Sequence, residues 1–308
     1  MVVLSNFLTG QLARTALGQS IEGTSSRETR DQARQLIPYS QMTPQANAKL
    51  KQIVDSPTIF RRMPVQQIDC DEEMFTFLVR YPEVLVNLWD LMGVTNVIVD
   101  RTGPYEFSGD DGAGTLCNGE LIYGNDRIHV YYGTGSYDGP MIPKALQGRS
   151  VCVLHSQTIR EPDGQVKVRG FMDVFIKVDN RGVGLLAQAI SPFVTKTADY
   201  NFVESSKFLA QLSQVAERRP DSIETIANRM TKIAPAVRDE FIAVAYRAAE
   251  RSIAVARGNT IFPADQFNTS MTSPGENQTD VARSDMANRS GETPLIIRPS
   301  KPTISLRR

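Results

Sequence analysis

Two histidines, His129 and His155, and three cysteines, Cys70, Cys117 and Cys152, hold most of the chain's capacity for nucleophilic or metal chemistry. Two imidazoles are too few for the usual His-rich zinc site, neither has a partner at metal-ligand spacing, and no C-x-x-C occurs. A Cys–His nucleophilic couple needs thiol and imidazole in contact. Cys152 and His155 stand three apart on one predicted strand and so point to opposite faces. Cys117 with His155, across strands, is the remaining pairing. The plainer expectation is three thiols acting as small hydrophobes and two structural histidines, with a Cys117–Cys152 bridge only in an exported protein. Asp110-Asp111-Gly112-Ala113-Gly114 lacks the spaced oxygen ligands and closing Glu of a calcium loop and reads as a turn. Gly133-Thr134-Gly135-Ser136 follows a strand without leading into a helix, so it fails the context of a phosphate loop. There is no G-x-S-x-G and no H-E-x-x-H. No metal and no cofactor is expected, and a non-enzyme is favoured.

The charge balance narrows the partners. Lys+Arg 34 against Asp+Glu 34 leaves no cationic surplus in 308 residues, whereas bulk-charge binding to nucleic acid needs one. No nucleic-acid partner is expected for the folded body. No apolar run reaches the roughly 18 residues of a membrane span. Met1 to Ser20 has no basic n-region or continuous apolar stretch and is a poor secretory signal. Leu4, Leu8 and Leu12 are spaced as on a short amphipathic helix, and a cytoplasmic location is favoured over export.

The elements that would position any site follow from periodicity. Residues 18 to 41 are polar and weakly patterned and read as a linker. Thr43-Pro44 starts a short helix with an N-cap hydroxyl and an N1 proline, apolar at Leu50, Ile53 and Val54. The body begins near Pro64 with a strand from Val65 to Cys70. Asp71 caps a helical stretch with Met74, Phe77, Leu78, Tyr81, Leu85, Leu88 and Met92 at spacings of three or four. Pro82 opens a second helix inside it, and Gly93 ends it. Strands follow: Val94 to Asp100, Thr115 to Tyr123, Asp126 to Tyr132, Arg149 to Arg160 and Gln165 to Val178. Gly124-Asn125 and Glu161-Pro162-Asp163-Gly164 supply hairpin turns. In the last strand Val166, Val168, Met172, Val174 and Ile176 alternate with Lys167, Arg169, Asp173 and Lys177, as in an antiparallel sheet with one buried face. Phe171 and Phe175 give the second face apolar character too. Val183 to Ile190 is a candidate further strand. Helices then run from Ala198 to Glu217, from a capping box of Asp221 and Glu224 through Met230, and from Pro235 to Gly258.

Asn259 to Arg308 is rich in Ser, Thr, Asn and Pro without a period and reads as disordered, with Arg298, Lys301, Arg307 and Arg308 making its end basic. Its Pro-Leu-Ile-Ile-Arg-Pro run, from Pro294, is a candidate docking segment against the alternative of a solvated tail. The expected organisation is an extension at 1–63, a main domain at 64–219, a helical extension at 220–258 and a tail at 259–308.

One strand, two helices, antiparallel hairpins and a long amphipathic helix occur here in that order. With the Tyr81-Pro82-Glu83 helix junction and Ile190-Ser191-Pro192-Phe193 leading into the long helix, the pattern resembles the START-like, or SRPBCC, helix-grip superfamily over Pro64 to Arg219. Cone-shaped NTF2-like domains share much of this grammar. The resemblance implies an α+β fold in which a curved antiparallel sheet grips a long C-terminal helix. It also implies a cavity for lipids, sterols, polyketides or other largely apolar ligands. Fold alone does not carry function.

The corresponding pocket wall is Tyr132, Val153, His155, Met172, Val174 and Ile176 from the sheet, faced by Leu209 and Leu212 from the long helix. His155 or Tyr132 would orient a ligand in such a wall. The alternative is that these side chains fill the core. The leading expectation is therefore binding of an apolar or amphipathic, lipid-like small molecule without catalysis. An enzyme using the cavity, with His155 as acid or base, is the second. A protein-interaction module with a filled core, docking a partner through 235–258 or the tail, is the third.

Overall fold

The computed structural model describes residues 22–139, 145–179, 184–258 and the strand Leu295–Ile296; for 184–194 and 295–296 only the backbone is described. The N-terminal stretch with the Leu4, Leu8 and Leu12 spacing, the centre of the turn after Asp179 and the rest of the tail lie outside these residues.

The chain is α+β: among the described residues, seven helices cover an open, curved antiparallel sheet. Helices α1 (Arg27–Gln35) and α2 (Pro44–Val54) precede strands β1 (Ile59–Arg62) and β2 (Gln66–Ile68). Helices α3 (Glu72–Arg80) and α4 (Pro82–Leu91) follow. Then come β3 (Ile98–Arg101), β4 (Glu106–Asp110), β5 (Thr115–Gly124), β6 (Ile128–Tyr137), β7 (Leu146–Arg160) and β8 (Val166–Val178). Helices α5 (Gly184–Arg218), α6 (Pro220–Ala227) and α7 (Pro235–Ala256) close the body, and Leu295–Ile296 is β9. The strand order is β1-β8-β7-β6-β5-β4-β3, with β2 also on β8 and β9 on β5.

Local chemistry explains most boundaries. Thr43 caps α2 by accepting the Ala46 N–H, and Asp71 caps α3 by accepting from Glu73 and Met74. Each occupies a helix-end donor that would otherwise lack a partner. Pro82 stands at the start of α4, and Gly93 takes the left-handed φ of 69° that ends it. The β7–β8 turn closes through Gly164 at φ 83° and its N–H bond to the Glu161 carbonyl.

Several expectations need correcting. The segment read as a linker contains α1, capped by Ser26; with Ala33 as its one buried residue, its apolar signal is faint. Of the candidate strand Val183–Ile190, the part from Gly184 is helix, because α5 begins there and runs through Pro192. Short apolar runs of this length fit either state. β4 was not anticipated. Arg219, not Asp221, is the N-cap of α6, which ends at Ala227. β1, ahead of Pro64, pairs with β8 from Ile59↔Ile176 to Arg62↔Asp173, so the sheet begins earlier than the pattern suggested. α7 packs within the chain, its Phe241 ring stacked 5.6 Å from Phe77.

Two apolar cores result, one on each side of the sheet. Against one face lie α1 and α2, with Leu50, Ile53, Val54, Phe60, Val130, Val151, Val153 and Phe175. Against the other lie α3 to α7, with Ile68, Phe77, Leu154, Val168, Leu209, Leu212 and Phe241. These are called here the α2 face and the long-helix face.

Candidate functional site

Register decides which predicted wall residues meet. β7 and β8 pair from Arg160↔Val166 to Gly148↔Val178, with Val153 opposite Asp173 and His155 opposite Phe171. Directly paired residues share a face, so Tyr132, Val153 and His155 belong to the α2 face. Met172, Val174 and Ile176 belong to the long-helix face, the side of Leu209 and Leu212. The expected single wall is thus two half-walls on opposite sides of the sheet. The reason lies in the turn, which takes Gln165 as well as Glu161 to Gly164. One residue more between paired positions inverts which side chains share a face.

The α2 face is closed. Val151, Val153, Val130 and Phe175 are fully buried, and the Phe60 and Phe175 rings lie 5.0 Å apart. Tyr132 is half-buried at the margin under the Lys49 ammonium, 4.7 Å from its ring centre. Its polar centre is Asp173, fully buried and held in two-pronged fashion by Arg62 at 2.7 and 2.8 Å. His155 stacks on Phe171 at 4.7 Å, with Nε2 3.6 Å from Asp173 Oδ2. Burial lowers the His155 pKa, while Asp173 pushes it back up and Arg62 lowers it further. With its carboxylate committed to Arg62, this cluster ties β1 to β8. It lies across the sheet from Met172, Val174 and Ile176, so His155 cannot act on a molecule held against them.

The long-helix face has two halves. In the half nearest α3 and α7, Leu154, Val168, Leu209 and Leu212 form filled core, with Met172 packed against them. His129 lies on this side, fully buried, with neither ring nitrogen hydrogen-bonded. Desolvation lowers its pKa to about 4, with the nearby Arg80 charge acting the same way. In the other half, one row across the sheet reads Leu121, Tyr131, Cys152, Val174, and the next reads Phe107, Gly119, Gly133, Ser150, Ile176. A third row carries Gly109, Cys117, Gly135 and Gly148. Glycines leave the strands without side chains there. A Cβ on Gly133 would lie 2.5 Å from Ser150 Oγ, and one on Gly119 would run into the Phe107 ring.

Tyr131, Cys152, Val174 and Ile176 are all half-buried. The surrounding protein nevertheless pushes the Cys152 thiol up to about 12 and the Tyr131 phenol higher still, both through desolvation. The Tyr131 hydroxyl donates to the Val79 carbonyl at 2.5 Å, fixing the ring. Ion pairs frame this half: Arg101 with Glu83 at 2.5 and 2.9 Å on the α4 side, and Arg61 with buried Asp199 on the α5 side.

A separate cleft of about 1450 Å³ opens at the hairpin-turn end of the sheet, between the first turn of α3 and the last turns of α5 and α7. Its lining is polar and includes Asp71, Glu73, Asp126, Glu217 and Arg251. None of the eight predicted wall residues is in it. Arg251 binds Asp71 at 2.8 Å through two nitrogens and Glu73 at 2.9 Å. Burial raises the Glu217 pKa, and Ser213 donates to its carboxylate at 2.9 Å. The acidic run from Asp69 to Glu73 was the one sequence signal for this cleft, and it reads equally as acids favouring the start of a helix. Among the described residues no group of three or more His, Cys, Asp or Glu is arranged to hold a metal ion, and no helix is long and apolar enough to cross a membrane.

No protein-family model matches the chain, and no curated protein matches it. Among solved structures, a putative uncharacterized protein from Rhizobium leguminosarum aligns at 9% identity and TM-score 0.31, over 49% of this chain and 95% of that one. The di-domain ARO/CYC BexL of the BE-7585A biosynthetic pathway aligns at 14% identity and TM-score 0.25, over 72% of this chain and 60% of that one.

Proposed function

We propose that the protein binds an apolar or amphipathic small molecule in the recess on the long-helix face, between the glycine-bearing rows of β4 to β7 and α5. The observation that carries this reading is the state of Cys152 and Tyr131, half accessible yet strongly desolvated beside a glycine-rich stretch of sheet. Val174, Ile176 and Phe107 supply apolar wall, and the Ser150 hydroxyl and the neutral Cys152 thiol supply the few polar atoms that orient a ligand in such sites. Of the wall expected from sequence, Val174 and Ile176 serve this recess and Met172 borders it. Leu209 and Leu212 belong to the filled core beside it, and Tyr132, Val153 and His155 to the other face. No acid–base role follows for His155, and the reading is one of binding without catalysis.

The test is ligand recovery. Purified full chain, denatured and extracted with organic solvent, should release one apolar species at near-stoichiometric amount by mass spectrometry. Ile176→Trp, which fills the recess, should retain the fold by circular dichroism and lower the bound amount at least about tenfold. Unchanged occupancy in Ile176→Trp would place the ligand elsewhere. Absence of any extracted species, together with no thermal shift from fatty acids, sterols or polycyclic aromatics, would remove the proposal.

A further inference from the structure

β5 outruns its neighbour. β4 pairs with it only from Asp110↔Leu116 to Glu106↔Glu120, and Leu121 adds one backbone bond to the Tyr105 carbonyl. From Ile122 to Gly124, β5 still pairs with β6 on one side, past a register shift between Leu121 and Tyr123, but β4 does not extend along the other. An edge of this kind presents backbone donors and acceptors ready to pair with another strand. Its length is set by the β4 turn at one end and by Asn125 at the other, where the Asn125 side chain closes the hairpin by accepting from Arg127 and Ile128.

The chain carries a segment of matching length. Leu295, Ile296, Ile297 and Arg298 stand between Pro294 and Pro299, and prolines bound a strand because they lack the N–H of the ladder. Leu295–Ile296 does pair antiparallel with this edge, as Gly124↔Leu295 and Tyr123↔Ile296. We infer that the open edge of β5 at Ile122–Gly124 is a strand-accepting slot whose occupant is the chain's own Pro294–Pro299 segment, docked by β-augmentation.

Register adds a charge argument. Leu295–Ile296 pairs along the edge of β5 in the order Gly124 then Tyr123. The register runs toward the start of β4, where Glu106 and Glu120 stand directly opposite each other on the α2 face. Like charges in that position repel, and Lys49, at 2.7 Å from Glu120, is one counter-charge. The preceding stretch from residue 259 to 293 holds five acidic and two basic residues, whereas 294–308 holds four basic and no acidic ones. The docking segment thus differs in charge from the stretch that tethers it.

Hydrogen exchange on the full chain tests this directly, since the occupant lies outside the body and its substitution leaves the core untouched. In Ile296→Pro, the peptide spanning Leu121–Asn125 should exchange at least about tenfold faster than in the wild type, with the rest of the sheet unchanged. Arg298→Glu should show a smaller acceleration in the same peptide. A synthetic peptide of residues 291–301 added to Ile296→Pro should restore protection. Equal exchange in wild type and Ile296→Pro overturns the proposal. Protection that fades on about hundredfold dilution of the wild type also overturns it, because the occupant would then be the segment of a second copy.

Discussion

The two faces of the sheet are made by the same strands, yet they are finished differently. On the α2 face two short helices suffice, because valines and phenylalanines on β6, β7 and β8 fill the space beneath them and a buried Arg62–Asp173 pair pins the first strand to the last of the hairpins. On the long-helix face five helices are assembled, and part of the sheet carries glycine, with the Phe107 ring and the Ser150 hydroxyl reaching over it. Covering helix is therefore not what closes a core; side-chain volume on the strands is.

That contrast can be broken or sharpened by substitution. Phe175→Ala on the α2 face removes a fully buried ring and should cost about 3 to 5 kcal/mol of unfolding free energy in urea; a loss under about 1 would show that this face is not closed. His129, in the filled half of the long-helix face, gives a pH signature. Its folded pKa, near 4, lies below its ordinary 6.5, so the unfolded chain binds the proton more readily between those values. Its contribution is complete above pH 6.5 and lost as pH falls toward 4, by roughly 3 kcal/mol. His129→Leu should remove that part of the slope in unfolding curves taken across the window. Thr43→Ala, which strips the cap from α2, should cost about 1 kcal/mol and leave ligand occupancy unchanged. Ile176→Ala should cost less than about 1 kcal/mol in ligand-free protein, because its side chain is already half open. Matched costs for Phe175→Ala and Ile176→Ala would erase the distinction between the faces.

What could be read from residues alone was what residues settle locally. Thr43, Asp71, Pro82, Gly93 and Gly164 marked ends and turns because each acts on its own backbone. The strands β5 to β8 and the antiparallel class followed from alternation. α1 was lost because its one buried residue, Ala33, gives no visible stripe. The start of α5 was misread because a short apolar run has no period long enough to choose between helix and strand. The expected wall is divided between the two faces for a non-local reason. Alternation says which residues of one strand share a face, but only the pairing of Arg160 with Val166 says which residues of the next strand join them. The glycine rows are invisible until four strands are in register. The polar cleft is more hidden still, since α3, α5, α7 and two hairpin turns meet there from distant parts of the chain.

The pairing of β1 with β8 also dictates an order of events during synthesis. Arg62 and Asp173 are 111 residues apart in the chain, so the earliest strand, bridged locally only to Thr24, waits for the latest of the hairpins before it joins the sheet. Until then α2 can bury Leu50, Ile53 and Val54 only against Val130, Val151 and Val153 of β6 and β7, without Phe175 of β8. Hairpins close first because their loops are short; the long closure follows at a greater entropic cost. A ribosome paused before β8 emerges would thus hold a nascent chain whose first two helices are made but only partly sheltered.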